Sequence, residues 1–438
     1  TNLYMINLLR KELIMTFLSV ILIAFLMGIS YYLYRKNIIN KNLFTITSIF
    51  IGIYSLITIL IYYNNINSGF KYGILFGDVS GSYFCDEERY FFESALLSEH
   101  LKNGELLDLL KGSFPAYEYI TGADIPGFGY KNIFVIFLAL LRFVGINSVV
   151  DLILIKLIAY IPTSIYLYKL ARIYLDEKKS LITVSIFSLL PGYILTNTIL
   201  MRDNIILMLL IIILYYSLKK PLNYKKLLLF LLLIFPIRGY LPLILPVVLI
   251  FCYKNDKKII TIKDILYFLI IILTLLFFSN FKFNNGELMF LGFNDGQMSN
   301  LQIALKNLYG SGITFVINIF VQTFIHIVVD PIFPEFLKSG SLYLILFSLG
   351  NIVGTILTIV FAIKLLINIF VNKTNSLTYL FKFSIYFTLL CGLLVLCKDS
   401  FIINRVALMW LPLYIIILLL PINFKFRKTL NKKQLHKS

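Results

Sequence analysis

The sequence predicts an all-α polytopic membrane protein of about ten to twelve transmembrane helices, with re-entrant or juxtamembrane helices and an acidic first outer loop. Of its 438 residues, 59% are hydrophobic and only 14% are charged, whereas soluble domains carry about 25% charged residues. The apolar residues form blocks of about 20, the length that crosses a bilayer. The net charge of +18 is typical of Lys-rich cytoplasmic loops, so we do not predict nucleic-acid binding.

The chain divides into five predicted regions. Residues 1–63 hold N-terminal membrane helices, 64–148 an acidic outer loop and a juxtamembrane segment, and 149–279 central membrane helices. Residues 280–340 form a second outer segment with an interfacial helix, and 341–438 hold C-terminal membrane helices and a basic cytoplasmic tail. The clearest membrane-length blocks are 13–34, 43–63, 149–175, 180–200, 204–218, 259–279, 341–371, 377–397 and 406–424.

Two apolar stretches do not fit a simple crossing. Residues 227–253 have lysines on both sides, so both ends are predicted to be cytoplasmic and the stretch to be a broken hairpin that turns at 236–240. Residues 131–144 are too short for a full crossing and are predicted to be re-entrant or juxtamembrane. Non-helical backbone at this depth is tolerated where it lines a cavity or is buried in protein.

Orientation follows from the positive clusters. Lysines collect after residue 424 and near 178, 219–226 and 254–258, which places these turns in the cytoplasm. The outer segments are then 64–130, 201–203, 280–340 and 398–405. We therefore expect a multi-pass protein of the cytoplasmic membrane with its active site on the outer face.

The loop at 64–130 holds ten of the 22 acidic residues and four basic ones. Read as a helix, its segment from 86 to 95 places Asp86, Tyr90 and Glu93 on one face, with Glu87 beside them. A carboxylate among aromatic residues is partly desolvated and more basic, so it could accept a proton or bind a divalent cation. We favour function for Asp86 and a solvated helix face for Glu88 and Arg89.

Arginines on the predicted outer side form the second set of candidates. Arg202 and Asp203 lie in a short outer turn, Arg238 lies at the turn of the broken hairpin, and Arg405 precedes the last membrane block. The arginine fork matches phosphate oxygens, which indicates a site for an anionic headgroup. Two alternatives stay open: Arg202 and Asp203 form a local pair that caps a helix, or each arginine contacts its own lipid phosphate.

Several short motifs occur in a recognisable order. They are Asp86-Glu87 with Tyr90 and Ala95, the glycine-containing segment 126–130 with Gly145, the basic turn at 168–172, Pro191 with Asp203, and Arg405 with Pro412. This order resembles the C-type membrane glycosyltransferases of bacterial envelope-polysaccharide synthesis, which use polyprenyl-phosphate-linked sugars. The resemblance covers residues 64–220 well and the C-terminal half loosely.

The resemblance implies roles for individual residues. Asp86 and Asp203 would be catalytic residues or ligands of a possible divalent cation, with Glu87 as a further catalytic residue. Arg238 or Arg405 would bind the lipid phosphate, and we place Arg202 and Tyr90 in the same substrate site. The family's frequent His-Pro-Pro is absent, which leaves the sugar donor open, and no large soluble C-terminal domain is present, which argues against an oligosaccharyltransferase.

We expect transfer of a sugar from a polyprenyl-phosphate or polyprenyl-diphosphate carrier to a glycan, lipid or protein acceptor of the cell envelope. No nucleotide-binding motif occurs, in agreement with a donor activated by its lipid phosphate. One alternative is an O-antigen-type polymerase or ligase that relies on arginines alone. A lipid-linked-sugar flippase or transporter is the other, although we find neither an internal repeat nor paired broken helices.

Overall fold

The computed structural model describes residues 2–70, 73–74, 86–105, 132–238, 241–252, 313–328, 334–369, 375–398 and 407–421. All regular secondary structure within these ranges is helical, in agreement with the predicted all-α class. The helices are α1 (Asn2–Arg35), α2 (Lys41–Asn67), α3 (Asp86–Lys102), α4 (Ile133–Phe143), α5 (Val149–Lys156), α6 (Tyr160–Ala171), α7 (Glu177–Leu189), α8 (Pro191–Thr198), α9 (Asp203–Leu218), α10 (Tyr224–Ile234), α11 (Leu241–Cys252), α12 (Ile313–Val328), α13 (Pro334–Leu337), α14 (Leu342–Ile369), α15 (Asn375–Lys398) and α16 (Leu411–Leu419).

Among the described residues, four helical segments are long and apolar enough to cross a membrane. They are Phe17–Arg35, Lys41–Asn67, Val149–Ala171 and Leu342–Ile367, the third being α5 and α6 joined by a short 3-10 turn. A fifth crossing results if α7 and α8 are counted as one bent span. The chain is therefore an all-α protein with several membrane-length helices, and the count of ten to twelve stays a prediction.

The bend between α7 and α8 divides the block predicted at 180–200. Pro191 is the first residue of α8, and the two helix axes differ by 64°. Proline has no N–H for the helical ladder and its ring displaces the preceding turn, so the chain changes direction there. α8 then ends at Thr198, and Ile199 adopts an extended conformation with φ −123° and ψ 164°. The short connection 199–202 leads directly into α9.

An aromatic cluster forms the centre of the bundle. Tyr54 of α2, Tyr160 of α6 and Tyr193 of α8 are all at most 1% exposed, and their ring centroids lie 5.1 to 6.3 Å apart. Tyr54 donates a hydrogen bond to the Ser188 carbonyl over 2.7 Å, beside the bend. These contacts join α2, α6 and α8 into one rigid unit, which positions the connection 199–202.

Hydrogen bonds between distant parts of the chain fall into two groups, one for each end of the bundle. One end contains the pairs Ser19–Asp151, Asn64–Leu342, Glu87–Leu200 and Arg238–Asp203. The other contains Asn40–Glu177 and Lys364–Leu420. The compartment that each end faces stays a prediction.

Candidate functional site

The connection 199–202 exposes backbone carbonyls that a buried lysine binds. The Lys156 ammonium, on the last residue of α5, donates hydrogen bonds to the carbonyls of Thr196 at 2.8 Å and Met201 at 2.9 Å, and to that of Ile199. Lys156 is only 1% exposed. Unpaired carbonyls at the C-terminal end of α8 carry partial negative charge. A lysine that meets three of them is therefore fully coordinated although it is buried.

Glu87 binds the same connection from α3. Its Oε1 accepts a hydrogen bond from the Leu200 N–H at 2.6 Å, and the side chain is 3% exposed. Among the residues that the structure describes, Oε2 has no hydrogen-bond partner. Burial raises the pKa of Glu87 to about 7, although the Leu200 N–H and the nearby Lys156 charge lower it in part. One carboxylate oxygen is thus fixed and the other is open, on a group that titrates near neutrality.

Asp203 and Arg238, which the sequence analysis placed in one site, are in contact. The Arg238 guanidinium lies 3.4 Å from Asp203 Oδ1, and the two side chains are 15% and 7% exposed. Asp203 is also the first residue of α9, where the helix dipole favours a negative charge. Arg238 is brought there by the turn between α10 and α11, which flank the predicted turn of the broken hairpin.

An apolar cavity of about 580 Å³ lies beside the connection 199–202. Its lining comes from α1, α4, the α5–α6 span and α9, and includes Leu33, Phe137 and Ile161. Lys156 and Arg202 are the charged residues in that lining. The Lys156 ammonium is bound to carbonyls, and the half-buried Arg202 lines the cavity beside it.

A second buried cation lies where α4 packs against α3. Arg142 is 4% exposed, its Nε donates a hydrogen bond to Ser94 Oγ at 3.0 Å, and its guanidinium lies 4.3 Å from the Phe91 ring centroid. Its Nη2 has no partner among the described residues. Burial lowers the pKa of Arg142 to about 10, so the side chain still carries its charge at neutral pH.

The remaining predicted residues have different outcomes. Tyr90 is 1% exposed and packs edge-on against Phe134 with ring centroids 4.8 Å apart, so its ring supports the α3–α4 contact. Asp86 begins α3, but its side chain and that of Glu88 are outside the described set, and Arg405 lies wholly outside it. The described residues contain no cluster of three or more His, Cys, Asp or Glu that could hold a metal ion. A divalent cation at Asp86 and Asp203 therefore stays a prediction.

Sequence reasoning missed Lys156 and Arg142 as parts of the site. A signal was present for both, since each is a basic residue inside an otherwise apolar helix, and intramembrane or juxtamembrane charges of this kind are costly and usually functional. The partners of both residues are distant in sequence, so the signal alone would not have identified their roles.

No protein-family model, curated protein or solved structure matches this chain. The resemblance to C-type membrane glycosyltransferases therefore rests on the motifs in the sequence, and the function has to be argued from the site itself.

Proposed function

We propose that the protein is a membrane glycosyltransferase that moves a sugar from a polyprenyl-phosphate or polyprenyl-diphosphate carrier to a cell-envelope acceptor. The observation that carries the proposal is Glu87: a buried carboxylate with one oxygen fixed by the Leu200 N–H and the other open. It contacts the connection that also bears Arg202, and Arg202 lines an apolar cavity. We assign the proton acceptor to Glu87, the phosphate ligand to Arg202 and the space for the lipid chain to this cavity.

Glu87 has the properties of a general base. A base works best when its pKa lies near the working pH, and that of Glu87 is raised to about 7. In the proposed reaction, the open Oε2 removes the proton from an acceptor hydroxyl as its oxygen bonds to the anomeric carbon of the donor sugar. The bond from that carbon to the phosphate oxygen breaks, and the carrier leaves with the bonding electrons as a negatively charged phosphate or diphosphate.

Arg202 is placed to stabilise that leaving group. Its guanidinium carries a permanent positive charge and suits phosphate oxygens, and it meets the apolar cavity into which the carrier's hydrocarbon chain would extend. Fixed charges of this kind contribute strongly where water is excluded. Arg238 contacts Asp203 and therefore acts beside Arg202, by fixing the start of α9.

This proposal assigns the general base to Glu87, whereas the sequence alone favoured Asp86. The two residues are adjacent in sequence, so their side chains leave α3 about 100° apart. Glu87 is the one for which burial and a hydrogen-bond partner are described. An arginine-only polymerase needs no such carboxylate. The activity of a Glu87→Gln variant therefore discriminates between the two classes of enzyme.

The proposal is tested by deleting the gene in the native cell and measuring lipid-linked sugars in membrane extracts by mass spectrometry. A polyprenyl-linked sugar should accumulate, and the wild-type gene should reverse the accumulation. The Glu87→Gln variant should not reverse it although it inserts normally, whereas Glu99→Gln, at an exposed position of the same helix, should. Full reversal by Glu87→Gln would contradict the base, and no accumulation after deletion would contradict the enzyme.

A further inference from the structure

One face of α3 continues from Glu87 towards a second polar region. Phe91, Ser94 and Ser98 follow Glu87 at intervals of four, three and four residues, which places all four residues on one helical stripe. Ser94 and Ser98 are completely or almost completely buried, because α4 packs closely against α3. The stripe therefore connects the proposed base to the position of Arg142 on α4.

Arg142 has only part of its hydrogen-bonding capacity filled. Nε is bound to Ser94 Oγ, and the ring of Phe91 covers one face of the guanidinium. Nη2 has no partner within the described part of the chain, and neither does the hydroxyl of Ser98, one turn further along α3. Two buried groups that can donate hydrogen bonds thus remain open on facing helices.

Among the described residues, the charge of Arg142 has no ion-pair partner. The ion pairs found there are Arg238–Asp203 and His100–Glu105, and neither includes it. Glu93, a buried carboxylate of α3, follows a different line on the helix, about 100° from Ser94. A buried guanidinium without a negative partner is strongly unfavourable. Such an arrangement is expected where a ligand supplies the negative group.

We propose that Arg142 and Ser98 form an anion subsite that binds a carboxylate or phosphate group carried by the saccharide substrate. This inference rests on the proposed function and deepens it, because it makes the substrate acidic. The Arg142 fork can bind two oxygens of such a group, and the Ser98 hydroxyl can donate to one of them. Ser94, which holds Arg142, lies seven residues from Glu87, or about 10 Å along the helix axis.

That separation gives the subsite its role. The anionic group would lie about 10 Å from the reacting hydroxyl on the same substrate, so that binding at Arg142 positions the hydroxyl at Glu87. The protein would then distinguish acidic from neutral saccharides of the same size. Phe91 lies between the two positions on the stripe, where one or more sugar rings would connect them.

Binding can be measured without turnover, on the full-length protein in lipid nanodiscs, by saturation-transfer NMR. The probes are methyl glucuronoside for a carboxylate, glucose 6-phosphate for a phosphate, and methyl glucoside as the neutral reference. We expect the wild type to bind at least one anionic probe about tenfold or more tightly than the neutral one, since charged hydrogen bonds are worth that much. The anionic probe that binds more tightly shows whether the subsite prefers a carboxylate or a phosphate.

Arg142→Gln should abolish this preference and leave binding of methyl glucoside unchanged, and Ser98→Ala should reduce it. Arg89→Gln is the matched control and should retain the preference, because Arg89 is a partly exposed arginine of α3.

If Arg142→Gln does not fold, Arg142→Lys, which retains the charge without the fork, should give an intermediate preference. Equal binding of all three probes by the wild type overturns the subsite, as does an unchanged preference in Arg142→Lys and Ser98→Ala. Loss of the transferase proposal alone would leave these binding results unaffected.

Discussion

Lys156 and Arg142 are both buried cations of comparable exposure, yet their surroundings differ completely. The Lys156 ammonium donates to three backbone carbonyls and also interacts electrostatically with the carboxylate of Glu87. Arg142 has one hydrogen bond to a neutral hydroxyl and one aromatic contact. One cation is saturated by the fold itself, whereas the other retains an unused donor within the described part of the chain.

The difference indicates how to separate structural from substrate-binding charges. A buried charge whose bonds are all made within the fold stabilises that fold, because any ligand would have to displace existing partners. A buried charge with bonds left open costs stability and is retained where a ligand completes it. Glu87 combines both conditions in one carboxylate, since Oε1 is bound by the connection 199–202 and Oε2 has no partner among the residues that the structure describes.

The largest expected effect is on stability, at the saturated cation. Lys156→Met should destabilise the protein by about 3–5 kcal/mol, because it leaves three carbonyls and Glu87 without their positive partner. Thermal unfolding in detergent measures this, with Lys169→Met as the control, a partly exposed lysine on the same membrane-length segment. Equal melting temperatures for the two variants would show that Lys156 is not a structural cation.

A smaller effect is expected on lipid binding at the cavity. Arg202→Gln should weaken binding of undecaprenyl phosphate by about 10- to 100-fold, the range for losing a charged hydrogen bond. Native mass spectrometry of the purified protein gives the bound fraction. Arg172→Gln serves as the control, because Arg172 binds the Leu175 carbonyl at the opposite end of the α5–α6 span. If the two variants bind the lipid equally, Arg202 is not the phosphate ligand.

The Asp203–Arg238 contact should contribute least. Its 3.4 Å separation and partial exposure predict a coupling of about 1 kcal/mol. A double-mutant cycle with Asp203→Asn and Arg238→Gln, read by thermal unfolding, isolates this coupling. A coupling of zero would mean that the pair does not fix the start of α9, and Arg238 would then be available for a phosphate of its own.

Hydropathy was sufficient to predict the helices that are apolar along their whole length. The blocks at 43–63, 341–371 and 377–397 correspond to Lys41–Asn67, Leu342–Ile369 and Asn375–Lys398, because an apolar run of membrane length leaves the backbone no alternative to a helix. Glu87 and Asp203 were predicted as site residues from the resemblance to C-type membrane glycosyltransferases, and their catalytic roles stay a prediction.

The contacts of the site could not be predicted in the same way. The carbonyls that bind Lys156 lie 40 to 45 residues away in the sequence, and they become available only because Pro191 bends the span and α8 stops at Thr198. Nothing in the composition of α5 indicates that its lysine meets the end of another helix. The choice of Glu87 likewise depended on its contact with the Leu200 N–H, which the sequence does not indicate.

The most direct test of the account is the titration of Glu87 itself. A hydrophobic carbodiimide reacts with protonated, buried carboxyl groups, and peptide mass spectrometry locates the adduct. Because the pKa of Glu87 is raised to about 7, labelling should be high at about pH 5, half-maximal near pH 7 and low at about pH 9, with Glu99 as the exposed reference. Absent labelling, or labelling that does not change with pH over this range, would contradict a buried carboxylate poised as a base.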